Sequence, residues 1–173
     1  MFNIAKGLRF SYNTFVNLAK KVVSLMIQKK KTLSLAESCT GGLLSHYLTN
    51  IPGSSKFFKI GIIAYANEAK QALLGVSSST IKKYGAVSDQ TIKQMAKGAR
   101  RVLKTDFSIA ISGIAGPTGS TPTKPVGLVF IAVCSKNKLR SFQFKFRGPR
   151  QSIKKQAAKK ALDIFLDFLN ESK

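Results

Sequence analysis

At 173 residues with 44% hydrophobic content and a mean hydropathy near zero, the chain is long enough to bury a sizeable core, which excludes a disordered polyelectrolyte. Its net charge of +22, from 29 Lys and Arg against 7 Asp and Glu, invites a nucleic-acid reading. Yet the basic residues are spread in small groups such as Lys29, Lys30, Lys31 and Lys159, Lys160, without interleaved aromatics or a helix-turn-helix, zinc-finger or RNP-type pattern, so solvated charge from compositional bias is the expectation and nucleic acid is not an expected partner.

Residues 1–13 show no clear period and read as a loose extension to a single domain over 14–173. From Phe15 the apolar positions Phe15, Leu18, Ala19, Val22, Leu25 and Met26 keep helical spacing, which predicts a first helix over 14–29. A short buried strand over 32–36 runs into a polar turn at Ser38, within the stretch Ser34-Leu35-Ala36-Glu37-Ser38-Cys39-Thr40-Gly41-Gly42, and a helix follows to about Thr49. The run 57–66 is rich in Ile and Phe and reads as a second buried strand. After it, Asn67 is placed to cap a short helix that Gly75 ends. Another short helix is predicted over 79–84, then a longer one capped by Ser88 with a buried face of Ile92, Met95, Ala96, Ala99, Val102 and Leu103.

A third strand over 107–112 leads into a long polar loop from Gly113 to Pro125. Strands over 127–134 and 139–146 form an antiparallel hairpin, with Phe142, Phe144 and Phe146 on one face. Pro149 suits the first turn of a closing helix with an apolar stripe from Ile153 to Leu169. The order implies an α/β fold, a three-layer α/β/α sandwich on a mixed sheet.

Ser38 falls at a strand-to-helix junction, where ligand sites are usually built and where the first N–H groups of a helix stay unpaired. Gly41 and Gly42 lack Cβ atoms and allow close approach to the backbone. A simpler role for Ser38 or Thr40 is to cap the helix. A serine nucleophile needs a base. The lone histidine, His46, lies about two turns into the helix and is expected at the surface, which argues against a Ser-His-Asp arrangement. Lys70, in the first turn of a second junction helix, serves as base only if its pKa is lowered by burial, positive neighbours or the helix end; otherwise it is a surface lysine.

Tyr65 is placed either to relay a proton or to pack as a strand-end aromatic. Cys39 remains an alternative nucleophile. The Ser-x-x-Lys strings at Ser79–Lys82 and Ser152–Lys155 fit chance in a chain rich in both residues. The Gly113–Gly119 loop lacks the P-loop and dinucleotide fingerprints but offers main-chain N–H groups to a phosphate or oxyanion. Arg147 and Arg150 flank the last helix start, a second phosphate-suited place. Cys39 and Cys134 show neither metal spacing nor a disulfide framework. With no apolar run of roughly 20 residues and no signal-peptide pattern, a cytoplasmic location is expected.

The segments Ala36-Glu37-Ser38-Cys39-Thr40-Gly41-Gly42, Tyr65-Ala66-Asn67-Glu68-Ala69-Lys70, Tyr84-Gly85-Ala86-Val87-Ser88, Ser112-Gly113-Ile114-Ala115-Gly116-Pro117 and Lys124-Pro125-Val126-Gly127 together resemble the CinA carboxy-terminal domain family, in the family's order and over roughly residues 14–169. The resemblance is to the stand-alone group of nicotinamide-mononucleotide deamidases. It implies hydrolysis of the carboxamide of nicotinamide mononucleotide to nicotinate mononucleotide and ammonia in pyridine nucleotide salvage, a fold like the anticodon-binding-domain group, no metal or cofactor, and homo-oligomers. A catalytically silent nucleotide-binding relative is the alternative, and a basic nucleic-acid-binding module a more distant one.

On this resemblance Ser38 is the nucleophile, Lys70 the base and Tyr65 a third catalytic position, with N–H groups of the Ser38–Gly42 turn stabilising the oxyanion. Glu37, Thr40, Gly41, Gly42, Ser112, Gly113, Gly116 and Arg150 are the implied substrate contacts, with Glu37 either orienting Lys70 or holding ribose hydroxyls. Many members read Gly-Asp-Arg where this chain has Gly148-Pro149-Arg150. Arg150 keeps its place for the phosphate.

Overall fold

The computed structural model describes the backbone of residues 4–171 and the side chains of residues 15–171. In chain order the elements are α1 (Ile4–Gln28), β1 (Leu33–Glu37), α2 (Leu43–Thr49), a short 3-10 turn (Ser54–Lys56), β2 (Phe58–Ile63), α3 (Asn67–Leu74), α4 (Ser78–Tyr84), α5 (Asp89–Val102), β3 (Phe107–Gly113), β4 (Leu128–Cys134), β5 (Leu139–Lys145) and α6 (Arg150–Glu171). The sheet has five strands in the order β2-β1-β3-β4-β5. β1 pairs parallel with both β2 and β3, while β3–β4 and β4–β5 are antiparallel.

Strand alternation sends side chains to two cores. Leu33, Leu35, Phe107, Ile109, Ile111, Val129, Ile131 and Val133 face a core closed by α1, α2 and α6. The other face carries Ala36, Ala110 and Ala132 in register across β1, β3 and β4. That row of small side chains lets α5 lie close to the sheet through Met95, Ala96 and Ala99, and Ser108 Oγ bonds the Ala96 carbonyl at 2.6 Å. Gly98, on the same helix, lies against α3: a Cβ there would fall 1.9 Å from the Leu74 carbonyl oxygen. The architecture is therefore the α/β/α sandwich on a mixed sheet that the order of elements implies.

Several details depart from the sequence reading. The helical backbone starts at Ile4 rather than at residue 14, so the segment expected to be a loose extension is helical from that point; residues 1–3 lie outside the described part. No proline interrupts residues 4–14, and a helix once nucleated extends at little cost per residue. β2, expected to be buried, is an edge strand with alternating exposure, because no strand flanks its far side. Val102 and Leu103 are 42% and 53% exposed rather than part of the buried face of α5. They stand at the helix end, beyond the reach of the sheet.

Candidate active site

Three strand ends converge on one cleft. Ser38 follows β1, Tyr65 follows β2, and Ser112 and Gly113 end β3. The cleft, of about 280 Å³, is lined by Ser38, Cys39, Tyr65, Lys70, Ser112, Gly113, Gly116 and Arg150 among others. It thus gathers most of the residues that the sequence singled out.

The turn after β1 is set by its glycines. Gly41 and Gly42 have φ of 62° and 90°, a left-handed backbone that side-chain-bearing residues rarely adopt. α2 consequently starts from Gly42 with no side-chain cap, and neither Ser38 nor Thr40 caps it. The capping role falls to Glu37, whose buried carboxylate accepts hydrogen bonds from Leu44 N (3.1 Å), Ser45 N (2.8 Å) and Ser45 Oγ (2.7 Å). Both carboxylate oxygens bond the helix, and Glu37, 1% exposed, makes no hydrogen bond to Lys70 among the described residues, so its observed part is to hold the start of α2. Its signal was hidden because the strand-end acid serves donors seven and eight positions on, a spacing no capping pattern describes.

Released from capping, Ser38 is 8% exposed, and among the described residues its hydroxyl has no hydrogen-bond partner. Its N–H donates to the Ile111 carbonyl at 2.9 Å, which fixes the turn against β3. Gly41 N donates back to the Ser38 carbonyl at 3.1 Å, whereas the N–H groups of Thr40 and Gly42 find no protein acceptor among the described residues. A serine hydroxyl beside uncommitted amide donors has the parts of a nucleophile and an oxyanion hole. Thr40 Oγ1 is buried without a partner. Burial pushes the Cys39 thiol up to about 12, which leaves it protonated and a poor nucleophile near neutrality.

Lys70, in α3, is 1% exposed. Its Nζ donates to the carbonyls of Ala64 and Tyr65 at 2.9 Å each and of Ala66 at 3.4 Å. Burial lowers its pKa from the ordinary 10.5, against the opposing pull of Cys39 and Glu68. No hydrogen bond joins Lys70 Nζ to Ser38 Oγ among the described residues, although both face the same cleft. His46 lies exposed on α2, bonded to Asn50 at 3.0 Å, as expected of a surface histidine.

Arg150 begins α6 and closes the cleft's rim. Its Nη1 donates to the Gly116 carbonyl at 2.7 Å and its Nη2 to the Tyr65 hydroxyl at 2.8 Å. Tyr65 is 59% exposed, so the strand-end core role does not hold, and its hydroxyl engages Arg150 rather than Lys70. Ser112 is buried, with its hydroxyl donated to the Ala86 carbonyl at 2.9 Å; it pins the 85–88 segment that forms part of the cleft wall. Gly113 is required by packing: a Cβ would fall 2.6 Å from Val129 Cγ2 and 2.7 Å from the Leu128 carbonyl oxygen.

Two residues escaped the sequence reading. Asn67, read as a cap, is instead the first residue of α3 and lines the cleft; Ala66 holds the cap position. Lys154, one turn along α6 from Arg150, brings its Nζ to 3.5 Å from where a Gly41 Cβ would stand. The i, i+4 pairing of Arg150 and Lys154 on one helix face was a signal available in the sequence.

The model of the CinA C-terminal domain family matches residues 16–169. A protein of Caldicellulosiruptor saccharolyticus named as competence-damage inducible is 52% identical over 147 residues, covering 85% of this chain and 36% of that protein. A CinA-like protein of Endomicrobium trichonymphae is 44% identical over 162 residues, 94% of this chain and 38% of that protein. The chain thus spans little more than a third of the length of these relatives. The crystal structure of competence/damage inducible protein CihA from Agrobacterium tumefaciens matches with a TM-score of 0.86 at 37% identity, covering 90% of this chain and 95% of that one. With the matched segment running from the first helix through the last, the chain belongs to the CinA C-terminal domain family.

Proposed function

We propose that this chain is an amidohydrolase that converts nicotinamide mononucleotide to nicotinate mononucleotide and ammonia, with Ser38 as nucleophile and Lys70 as general base. The observation that carries the reading is a serine hydroxyl without a hydrogen-bond partner sharing one cleft with a buried lysine whose pKa is lowered. In this scheme the neutral Lys70 amine takes the Ser38 proton as the oxygen attacks the carboxamide carbon. N–H groups of the Ser38–Gly42 turn receive the oxyanion, each worth roughly 3 kcal/mol to the transition state. The Lys70 ammonium then returns its proton to the departing nitrogen. Water, deprotonated by the same amine, releases the acid from the acyl-serine. Arg150 and Lys154 offer positive charge to the substrate phosphate at the rim.

A second reading, a nucleotide-binding relative without turnover, is favoured by one specific feature. The three carbonyls around Lys70 Nζ suit an ammonium group that acts as a structural pin, with Ser38 outside its hydrogen-bond reach. Ammonia release from nicotinamide mononucleotide by the purified chain distinguishes the two: turnover supports the amidohydrolase, and binding without turnover supports the silent relative.

A further inference from the structure

A second cavity, of about 550 Å³, lies at the opposite end of the sheet from Ser38. β4 fixes its position: Val129 pairs with Gly113 at the cleft end of β3, while Cys134, on the cavity wall, pairs with Ser108 near the strand's start. The last turns of α5 and the residues just after it contribute Lys97, Arg100, Arg101 and Lys104, and the β4–β5 turn facing them contributes Lys136 and Lys138. Among the described residues no acidic or aromatic side chain lines it.

Part of this charge has a local explanation. Arg100 and Arg101 sit in the last turn of α5, where cations complement the helix dipole, and they donate to the Thr105 and Leu74 carbonyls at 3.3 and 3.4 Å. Lys138 is paired with Glu171 at 2.6 Å. The ammonium groups of Lys97, Lys104 and Lys136 have no hydrogen bond or ion pair among the described residues. Lys136 belongs to a different element from the helix, so the dipole does not account for it. Like charges gathered from two elements repel over a screening distance of about 8 Å unless an anion joins them.

We propose that this cavity is a binding site for a compact anion carrying several phosphate groups. Concave walls and convergent cations suit such a ligand. The lack of aromatic platforms disfavours single-stranded nucleic acid, whose bases need faces on which to stack.

The test is calorimetric titration of the intact chain with inorganic triphosphate at physiological ionic strength. One site per chain is expected, weakened at least about tenfold by the Lys104→Ala/Lys136→Ala double substitution and unchanged by Arg150→Ala. Both lysines are exposed, and circular dichroism verifies that the variant folds. Unchanged affinity in the double variant, loss of binding in Arg150→Ala, or no binding at millimolar triphosphate would each overturn the proposal. So would displacement of triphosphate by a single-stranded oligonucleotide with a steeper salt dependence, which would mark a nucleic-acid face instead.

Discussion

Arg150 Nη2 donates to the Tyr65 hydroxyl at 2.8 Å, so the start of α6 is tied to the β2–α3 junction across the rim of the cleft. The same guanidinium holds the Gly116 carbonyl at 2.7 Å, and one side chain thereby links three loops that no strand pairing connects. Tyr65 acts in this arrangement as a positioning residue for Arg150. Tyr65→Phe is expected to raise KM about threefold to tenfold, the loss of one hydrogen bond to a charged group, while kcat stays within a factor of about three. A collapse of kcat at unchanged KM would instead put the phenol in the proton path.

If Arg150 reads the phosphate, its removal matters only for phosphorylated substrate. Arg150→Ala should cost the mononucleotide on the order of 10- to 100-fold in kcat/KM and leave the dephosphorylated nucleoside nearly unaffected. Steady-state assays on the two substrates check this; equal losses on both would assign Arg150 to holding the loops alone.

The deprotonated form of Lys70 is the one that can take a proton, and burial holds its pKa below 10.5. The rate should therefore rise with pH, tenfold per unit at first, and level off before pH 10.5 is reached. Stability follows the same direction: between the lowered folded pKa and the ordinary value, the unfolded chain binds more protons, so folding gains as pH rises through that window. Lys70→Met should abolish both trends. A rate that falls with pH over this range would mean that the cation, not the amine, is the working form.

Glu37 is expected to matter to stability rather than to substrate. Glu37→Ala leaves the first turn of α2 with two main-chain N–H groups and the Ser45 hydroxyl unpartnered, at a cost of about 2–4 kcal/mol. Urea denaturation reads the loss, and KM of the folded variant should stay near wild type.

Gly98 tests the packing of α5. A Cβ 1.9 Å from the Leu74 carbonyl oxygen forces α3 and α5 apart, so Gly98→Ala should destabilise by about 1–3 kcal/mol although alanine favours helices. A stabilised variant would contradict the close approach.

Apolar spacing carried most of the fold. The period of Ile92, Met95, Ala96 and Ala99 marked the buried face of α5, and the alternating Phe142, Phe144 and Phe146 marked the β4–β5 hairpin. Spacing could not tell that β2 would stand at a sheet edge, since strand order depends on contacts between distant segments. It also overran at Val102 and Leu103, where the helix passes the sheet that would cover them. At the site, the Ser38 turn and Lys70 were legible because junction residues and glycines have local signatures. The role of Glu37 and the approach of Lys154 to Gly41 were not, because each depends on where another element places its N–H groups or its turn.

Whether Ser38 and Lys70 together perform amide hydrolysis is tested most directly by ammonia release from nicotinamide mononucleotide by wild-type, Ser38→Ala and Lys70→Ala proteins. Wild type should turn over, and each variant, folded by circular dichroism and still able to bind the mononucleotide, should lose on the order of 10³-fold or more in rate. Full activity in either variant would contradict the account.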